Sequence, residues 1–360
     1  MSRFVALFIC LLLFPNTAQI DTGEDPVSSL DIDNEVVDPI VIEGDSELAD
    51  HPEVTGSGSS NDPYTITNIT IDVSGSGRGA IAIRNTTKNL LIQNVKIYAS
   101  TSATGLYLRG KYVGGTYYQT NAVIDNVTVV GGVRQLYVYT AKLVTVENCN
   151  FSNPSGSSYN TYIYRSRDLT IRNNTYDAKW QWIYSSNSYF VTIEKNRGKI
   201  YGFNTNYFRY FDVANNTFET TRWYFYSGWS SDFQGNNFTS TSSYYDLVTI
   251  TDCNNLKIAN NTLRGGDDIL LVQHPNSYNP VHDQYYTSSN IKFENNYFIE
   301  GKRGINFYYK SGDAYVRYMS VNRNHFINCS SSAIRIAGGG ITTSKVWHNY
   351  FIDNNDAGEV

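Results

Sequence analysis

The chain has 360 residues, a formal net charge of −5 and an aromatic content of 14%. Acids are concentrated near the amino terminus, because residues 21–50 hold eleven acidic residues and no basic one, so the rest of the chain is mildly basic. So small a positive excess argues against nucleic acid as a partner. The cysteines lie far apart in sequence, which excludes a disulfide-stapled scaffold, and we expect Cys149, Cys253 and Cys329 to pack as small buried hydrophobes.

The amino-terminal segment has the composition of a secretory signal. An apolar run at residues 4–14 follows Arg3, is too short to span a bilayer and leads into polar residues. We therefore expect a signal peptide over residues 1–18, a secreted or cell-surface protein, and no transmembrane anchor. Residues 19–50 are predicted to form an acidic leader and entry segment, and residues 51–360 a single structural domain.

A short phrase then returns twelve times: an aliphatic residue, a spacer, one or two asparagines, and often an aromatic or aliphatic residue two places on. Steps between copies run from about 20 to 35 residues and centre near 25, the length of one rung of a parallel β-helix. The sequence thus predicts an all-β fold, a right-handed single-stranded parallel β-helix (β-solenoid) of about twelve rungs, from near Asn61 to Phe351. The clearest copies are Ile171–Tyr176, Val213–Phe218, Ile258–Leu263, Phe293–Phe298 and Val346–Phe351.

Alignment of the copies predicts two columns of stacked side chains. Eight asparagines fall at one turn position, where each buried amide can accept a hydrogen bond from one neighbouring rung and donate to the other. Two residues further on, apolar side chains can stack as the core of the solenoid. The predicted asparagine ladder is Asn174, Asn196, Asn216, Asn237, Asn261, Asn296, Asn324 and Asn349. The predicted apolar column is Phe151, Tyr176, Phe218, Leu263, Phe298, Phe326 and Phe351.

Aromatic residues are too numerous for the interior alone, with 30 tyrosines, 17 phenylalanines and 5 tryptophans. Alternation along the strands places aliphatic residues inward and tyrosines outward. Rungs stack about 4.8 Å apart, so outward rings on successive rungs would form a strip that suits the faces of pyranose sugars. Alternatively, the rings stack on each other and simply stabilise the sheet. The predicted aromatic strip is Tyr164, Trp182, Tyr184, Tyr201, Trp223, Tyr226 and Tyr245.

Three carboxylates are predicted to meet on one face. Asp267 and Asp268 are adjacent in sequence, and Asp246 precedes Asp267 by 21 residues, which is about one turn of the solenoid. Carboxylates gathered in this way can supply the general acid and the general base of glycoside hydrolysis. They can also bind a cation or cap a turn.

This stretch resembles the active-site region of the polygalacturonase family of glycoside hydrolases, in which an Asn-Thr-Asp segment is followed one rung later by Gly-Asp-Asp. The matching segments here are residues 244–246 and 266–268, and residues 335–337 resemble the Arg-Ile-Lys segment of that family, with Ala337 in place of its lysine. The resemblance implies catalytic roles for Asp246, Asp267 and Asp268, and implies that Arg335 holds an anionic substrate. The histidine of the family is Arg303 here.

A second resemblance covers most of the chain. Residues 38–44 and 56–66, leading into the repeats, are similar to the entry of secreted proteins built from NosD-type repeats, also called carbohydrate-binding and sugar-hydrolysis repeats. This resemblance implies the β-helix fold and a cell-surface location. The histidines show no ligand spacing, so we expect no metal and no cofactor.

The residues lead to three hypotheses about function. The first is a secreted or cell-surface β-solenoid that binds polysaccharide through the aromatic strip. The second is an enzyme, a glycoside hydrolase or lyase acting on uronate-rich polysaccharide through the three aspartates. The third is a structural or interaction scaffold of a surface layer, self-associating through the ends of the solenoid.

Overall fold

A computed structural model describes residues 35–113, 116–117, 121–153, 159–274, 288–309, 316–337 and 341–354. The predicted signal peptide and the first part of the acidic leader lie outside these residues. Among the described residues, no helix has the length and apolar character needed to cross a bilayer.

The strands wind into a right-handed parallel β-helix with three faces, which we call A, B and C. Within each face, a strand pairs in parallel with its counterpart one rung before and one rung after. Three long strands, Thr175–Ser186, Arg197–Ala214 and Arg222–Gln234, run across corners and belong to more than one face.

The remaining strands fall into the three faces and two short pairs. Face A contains Ile40–Glu43, Ile81–Arg84, Thr104–Arg109, Arg134–Tyr139, Tyr159–Tyr164, Val248–Thr251, Asp268–His274, Arg303–Tyr309 and Ser332–Ala337. Face B contains Tyr64–Thr67, Leu90–Gln93, Ala122–Asp125, Lys142–Glu147, Arg167–Arg172, Tyr189–Glu194, Asn254–Ala259, Lys292–Glu294, Ser320–Asn322 and Lys345–Trp347. Face C contains Glu35–Val37, Ile69–Val73, Lys96–Ala99, Thr128–Gly131, Asn150–Ser152, Thr217–Thr220, Asn237–Ser240, Thr262–Arg264, Tyr297–Ile299, His325–Ile327 and Tyr350–Ile352. The short pairs are Tyr112–Val113 with Thr116–Tyr117, and Val316–Arg317 with Ile341–Thr342.

The predicted fold class and the rung count of about twelve are confirmed, but the solenoid begins earlier than predicted. Glu35–Val37 pairs with the strand at Ile69, and Ile40–Glu43 pairs with the strand at Ile81, inside the segment expected to be leader. The reason is the alternation of this segment: Ile40 and Ile42 are fully buried, whereas its acids face solvent. A short helix, Asp45–Asp50, follows and buries Leu48.

The asparagine ladder is confirmed, with one correction of register. From Asn196 to Asn349, the side-chain oxygen of each ladder asparagine accepts from the backbone N–H and the amide of the ladder asparagine one rung before it, at 2.9–3.1 Å. The residue in the ladder is Asn236, which is buried, and not Asn237, which is exposed. Gly235 takes the left-handed backbone position (φ 66°) that Asn173 (φ 56°) and Asn215 occupy on other rungs, so the inward amide is the residue after it.

The apolar column is confirmed as the core of the solenoid, apart from its last member. Tyr176 and Phe218 meet at a ring-centroid distance of 5.8 Å although a rung separates them. That rung carries Gly198, where a Cβ atom would lie 1.9 Å from the carbonyl oxygen of Tyr176, so glycine is required for the two rings to close over it. Phe351, on the last described rung, is 57% exposed. Burial raises the pKa of Cys149 and of Cys253 to about 12, which fits the predicted role as buried hydrophobes.

Candidate functional site

Outward side chains on face A form continuous columns because the strands are in register. One column consists of Tyr107, Tyr137, Tyr162 and Tyr184, each paired with the next. Their rings pack on one another, with centroids 4.8–5.0 Å apart. Neighbouring tyrosines therefore cover much of each ring face, as the stacking alternative predicts.

The structure corrects one member of the predicted aromatic strip. Trp223 is fully buried and points into the solenoid, where its ring stacks on Phe203 and Phe238 at 4.4 and 4.2 Å. Its backbone partner is Val248, which is also buried. Because facing alternates along the strand, the outward residues of this segment are its neighbours Arg222 and Tyr224.

The other strip residues lie in two groups on face A. Trp182, Tyr201 and Tyr245 belong to the group around Arg222. Tyr164, Tyr184 and Tyr226 are half-buried on the adjacent columns. Tyr164 stacks on Tyr139 at 5.5 Å, and Tyr226 packs edge-on against Tyr207 at 5.8 Å.

Arg222 is enclosed by four aromatic rings, and we call this group the Arg222 cluster. The guanidinium lies 4.4–5.5 Å from the ring centroids of Trp182, Tyr201, Tyr224 and Tyr245. It donates to the hydroxyls of Tyr224 at 2.9 Å and Tyr201 at 3.2 Å. Backbone register explains the enclosure, because Gly202 lies between Trp182 and Arg222 in one column and leaves room for both side chains.

The predicted carboxylates meet beside the Arg222 cluster. One oxygen from each of Asp246, Asp267 and Asp268 lies within 4.8 Å of the others, and we call this group the carboxylate cluster. Gly266 sets the approach, since its φ of 103° suits glycine and a Cβ there would lie 3.0 Å from the carbonyl oxygen of Tyr245. The spacing of the oxygens is shorter than the roughly 6.5–9.5 Å at which an inverting glycosidase leaves room for a water.

Basic and amide side chains from the next rung hold two of these carboxylates. Arg303 donates from Nε to Asp268 and from Nη2 to Asp267, the latter at 2.8 Å. Lys302 lies 3.3 Å from Asp267, and Asn306 donates to Asp268 at 2.7 Å. The oxygens are of the kind that Mg²⁺ or Ca²⁺ prefers, but the two basic side chains already supply positive charge to them.

Asp246 differs from its neighbours because it has no ion pair within the described part of the chain. Its carboxylate accepts a hydrogen bond from the backbone N–H of Asp268 at 3.1 Å. Burial, followed by the negative charge of Asp268, raises the pKa of Asp246 to about 6. Crowding of like charges alone would raise a carboxyl pKa, but here burial is the larger cause.

The side chains of Asp267 and Asp268 differ in exposure. The side chain of Asp267 is 30% exposed, whereas that of Asp268 is 4% exposed beneath Arg303 and Asn306. Asp246 and Asp267 are therefore the two carboxylates that a bound molecule can reach, and Asp268 positions Arg303.

Arg335 lies one rung beyond Asn306 in the same outward column. Its side chain makes no ion pair with the carboxylate cluster in the described structure. Sequence reasoning did not find Arg222, Asn306 or Lys302. Of these, Arg222 carried a usable signal, because a cation at an outward strand position among aromatic residues favours stacking on their rings.

Comparisons with known proteins agree with the fold. Residues 54–218 match the family model described as a right handed beta helix region. No curated protein sequence matches the chain. Together with the wound parallel strands, the match defines the class: this is a right-handed parallel β-helix protein.

Three of the solved structures with related folds are enzymes by their titles. The catalytic domain of a GH87 α-1,3-glucanase in complex with tetrasaccharides is 14% identical with a TM-score of 0.50, and the alignment covers 88% of this chain and 63% of the glucanase domain. The mannuronan C-5 epimerase AlgE6 A-module of Azotobacter vinelandii is 13% identical over 80% of this chain and 88% of its own, with a TM-score of 0.34. An exopolygalacturonase from Thermotoga maritima is 8% identical over 85% and 80%, with a TM-score of 0.31. At such identities the likeness concerns the fold alone.

Proposed function

We propose that face A binds a polysaccharide, and that the Arg222 cluster and the carboxylate cluster form one binding surface of a secreted or cell-surface protein. The observation that carries the proposal is their junction: Tyr245 contacts the Arg222 guanidinium, and the next residue, Asp246, belongs to the carboxylate cluster. Aromatic rings offer apolar contact to sugar rings, while carboxylates and guanidinium groups bond sugar hydroxyls. The similarity to NosD-type repeats is consistent with this function.

The test compares two tyrosines with similar exposure on different parts of the solenoid. Tyr245 and Tyr210 are 43% and 51% exposed, but Tyr210 lies on face B, where it stacks on Phe190, and not in the Arg222 cluster. Glycan-array binding by Tyr245→Ala should weaken at least roughly five-fold, about 1 kcal/mol, as expected for a central contact of an interface. Tyr210→Ala is the control and should bind as the wild type does. Equal effects of the two changes, or no glycan bound by the wild type, would contradict the proposal.

Hydrolysis is the second candidate function, because Asp246 has the properties of a general acid. A group with a pKa of about 6 keeps its proton over part of the neutral range and can donate it to a glycosidic oxygen as the bond to the anomeric carbon breaks. Asp267, partly exposed and paired with Arg303 and Lys302, is the carboxylate that would then attack that carbon to form a glycosyl intermediate, which water afterwards hydrolyses. Arg335 is positioned on the same face to meet an anionic substrate, as the resemblance to polygalacturonases implies.

Reducing-sugar and unsaturated-product assays over uronate polysaccharides test this candidate. Both Asp246→Asn and Asp267→Asn should abolish turnover, whereas Asp177→Asn, an exposed carboxylate on face C, should not. A silent panel, or turnover that survives Asp267→Asn, would reject hydrolysis and leave binding.

The scaffold hypothesis remains a prediction about the last described rung. Val346 and Phe351 are 51% and 57% exposed there, and exposed apolar strands favour association. Sedimentation equilibrium of the wild type and Phe351→Ser checks it, since a monomer at all concentrations would refute self-association.

A further inference from the structure

The amino-terminal half of face A carries a second feature, which we call the arginine–tyrosine tract. It spans three rungs that precede the Arg222 cluster, roughly 10 Å at the usual spacing of strands. Guanidinium groups in the tract lie over tyrosine rings at 5.0–5.7 Å. The tract consists of Arg109, Arg134 and Arg165 with Tyr107, Tyr137, Tyr139, Tyr162 and Tyr164.

The cations of the tract have no acidic partners among the described residues. The three strands that carry the tract, Thr104–Arg109, Arg134–Tyr139 and Tyr159–Tyr164, contain no aspartate or glutamate. Arg134 is half-buried, and its Nε is buried without a hydrogen-bond acceptor. Arg109, Arg134 and Arg165 therefore form no ion pair with the described residues.

Several cations on the other two faces form ion pairs. On face B, Arg172 lies 2.6 Å from Glu147. On face C, Lys199 lies 2.9 Å from Glu219, and Arg264 lies 2.8 Å from Glu300. Unpaired arginines gathered on one face are thus a local departure from the arrangement elsewhere.

Stacking on tyrosine leaves the hydrogen-bonding edge of a guanidinium open. The cation–π contact fixes the plane of the group, while its N–H donors remain in the plane and can meet a carboxylate or sulfate in bidentate geometry. Tyr107, Tyr137 and Tyr162 stay neutral, because burial raises the pKa of Tyr162 to about 12 and also raises the pKa of Tyr107 and Tyr137. Their hydroxyls therefore add neutral hydrogen-bonding groups without adding negative charge.

We propose that the arginine–tyrosine tract binds the anionic groups of an acidic polysaccharide that lies along face A. The inference rests on the proposed function, because it extends the same binding surface toward the amino terminus. It adds a ligand class, a glycan carrying carboxylate or sulfate groups, and residues that hold it. Charge complementarity selects this occupant over a neutral glycan, and the continuity of the face with the Arg222 cluster selects it over a nucleic acid.

The experiment removes two exposed cations of the tract and compares a neutral glycan, two acidic glycans and a nucleic acid, of which dextran and dextran sulfate share one backbone and differ in charge. Arg109→Gln/Arg165→Gln leaves the half-buried Arg134 in place, so folding is preserved. Lys292→Gln/Arg323→Gln removes the same charge from exposed positions outside face A and serves as the control. Binding is measured for dextran, dextran sulfate, polygalacturonate and an oligo-dT strand at two salt concentrations.

The tract variant is expected to lose affinity for acidic glycans only. Each exposed charge pair changes the affinity by up to roughly five-fold. The tract variant should therefore bind polygalacturonate or dextran sulfate about five- to twenty-fold more weakly than the wild type. This difference should shrink at high salt. The control variant should match the wild type. The tract variant is also compared with Tyr245→Ala: if only Tyr245→Ala weakens glycan binding and the tract variant keeps the wild-type affinity for acidic glycans, the proposed role of the tract is wrong and the proposed function stands.

Two further outcomes would also contradict the proposed role of the arginine–tyrosine tract. If oligo-dT binds as tightly as the acidic glycans and loses affinity in the tract variant to the same degree, the surface is a nucleic-acid or general polyanion site. If the wild type binds none of the four polymers and no glycan on the array, the proposed function fails together with the tract.

Discussion

Two adjacent asparagines offer a sharp test of the ladder register. Asn236 is buried and Asn237 is exposed, although both follow Gly235 and either could occupy the ladder by sequence. The oxygen of Asn236 accepts from the backbone N–H of Asn216 at 3.0 Å, and its amide donates to the carbonyl of Val213 at 2.9 Å. Replacement of Asn236 by leucine, which is close in volume, therefore removes bonds without leaving a large cavity.

The expected loss of stability follows from the buried polar groups that the substitution leaves without hydrogen-bond partners. Asn236→Leu deprives the Asn216 N–H of its acceptor and the Val213 carbonyl of a donor, and each unsatisfied buried group costs about 1–3 kcal/mol. The free energy of unfolding should thus fall by about 2–6 kcal/mol. Asn237→Leu should change it by less than about 0.5 kcal/mol, as exposed substitutions usually do.

Urea denaturation followed by far-ultraviolet circular dichroism measures both variants beside the wild type. A solenoid can unfold in segments, so the comparison should use the transition midpoints together with the rate of limited proteolysis. Similar midpoints for the two variants, or a larger loss for Asn237→Leu, would refute the register and the hydrogen-bond argument behind it.

Two other predictions concern the carboxylate cluster. Burial raises the pKa of Asp246 from 3.8 to about 6. The folded chain therefore holds this proton more tightly than the unfolded chain does. The stability that proton binding adds is complete below about pH 4 and is lost as the pH rises through 6. Asp246→Asn should therefore stabilise the fold by about 1–2 kcal/mol at pH 8, after allowance for solvent screening, and should leave the free energy of unfolding nearly unchanged at pH 4. Thermal melts at both pH values measure this difference. Equal effects at the two pH values would contradict the raised pKa. Gly266→Ala should cost about 1–3 kcal/mol in backbone strain and further stability from its clash with Tyr245, whereas Gly44→Ala, at φ 91° with open space around it, should cost the strain alone. Equal losses in denaturant titrations of the two alanine variants would show that the close approach at Gly266 is unimportant.

The fold could be predicted from the sequence because its information is periodic. Each rung repeats the same exchange of hydrogen bonds and apolar contacts with its neighbours, so twelve weak signals reinforce one another. Errors arose where two adjacent residues satisfied the same pattern. Gly235 shifted the ladder from Asn237 to Asn236, because a glycine can take the left-handed position that asparagine holds on most rungs.

The error at Trp223 has a related cause. Residues 222–226 read Arg-Trp-Tyr-Phe-Tyr, so four aromatic residues in succession offer no polar member to mark the outward face. In the structure, strand register decides which of these residues faces inward. Trp223 pairs with Phe203 and Val248, which are both buried, so Trp223 is buried too. Alternation along one strand predicts that neighbours face opposite ways, but only pairing with other rungs decides which of them is inside.

The position of Arg303 bears directly on whether the carboxylate cluster can supply an acid. The sequence analysis placed this arginine where the resembling family has histidine, and a cation there should lower the pKa of a nearby carboxyl. In the structure its guanidinium engages Asp267 and Asp268, and it lowers the pKa of Asp246 less than burial and the charge of Asp268 raise it. Arg303 thus pairs with two aspartates next to a third whose pKa is raised, and a hydrolase would need such a difference between its base and its acid. Arg303→Met should release both negative charges toward Asp246 and raise its pKa further, so a pH–rate profile shifted toward lower pH instead would refute this reading of the cluster.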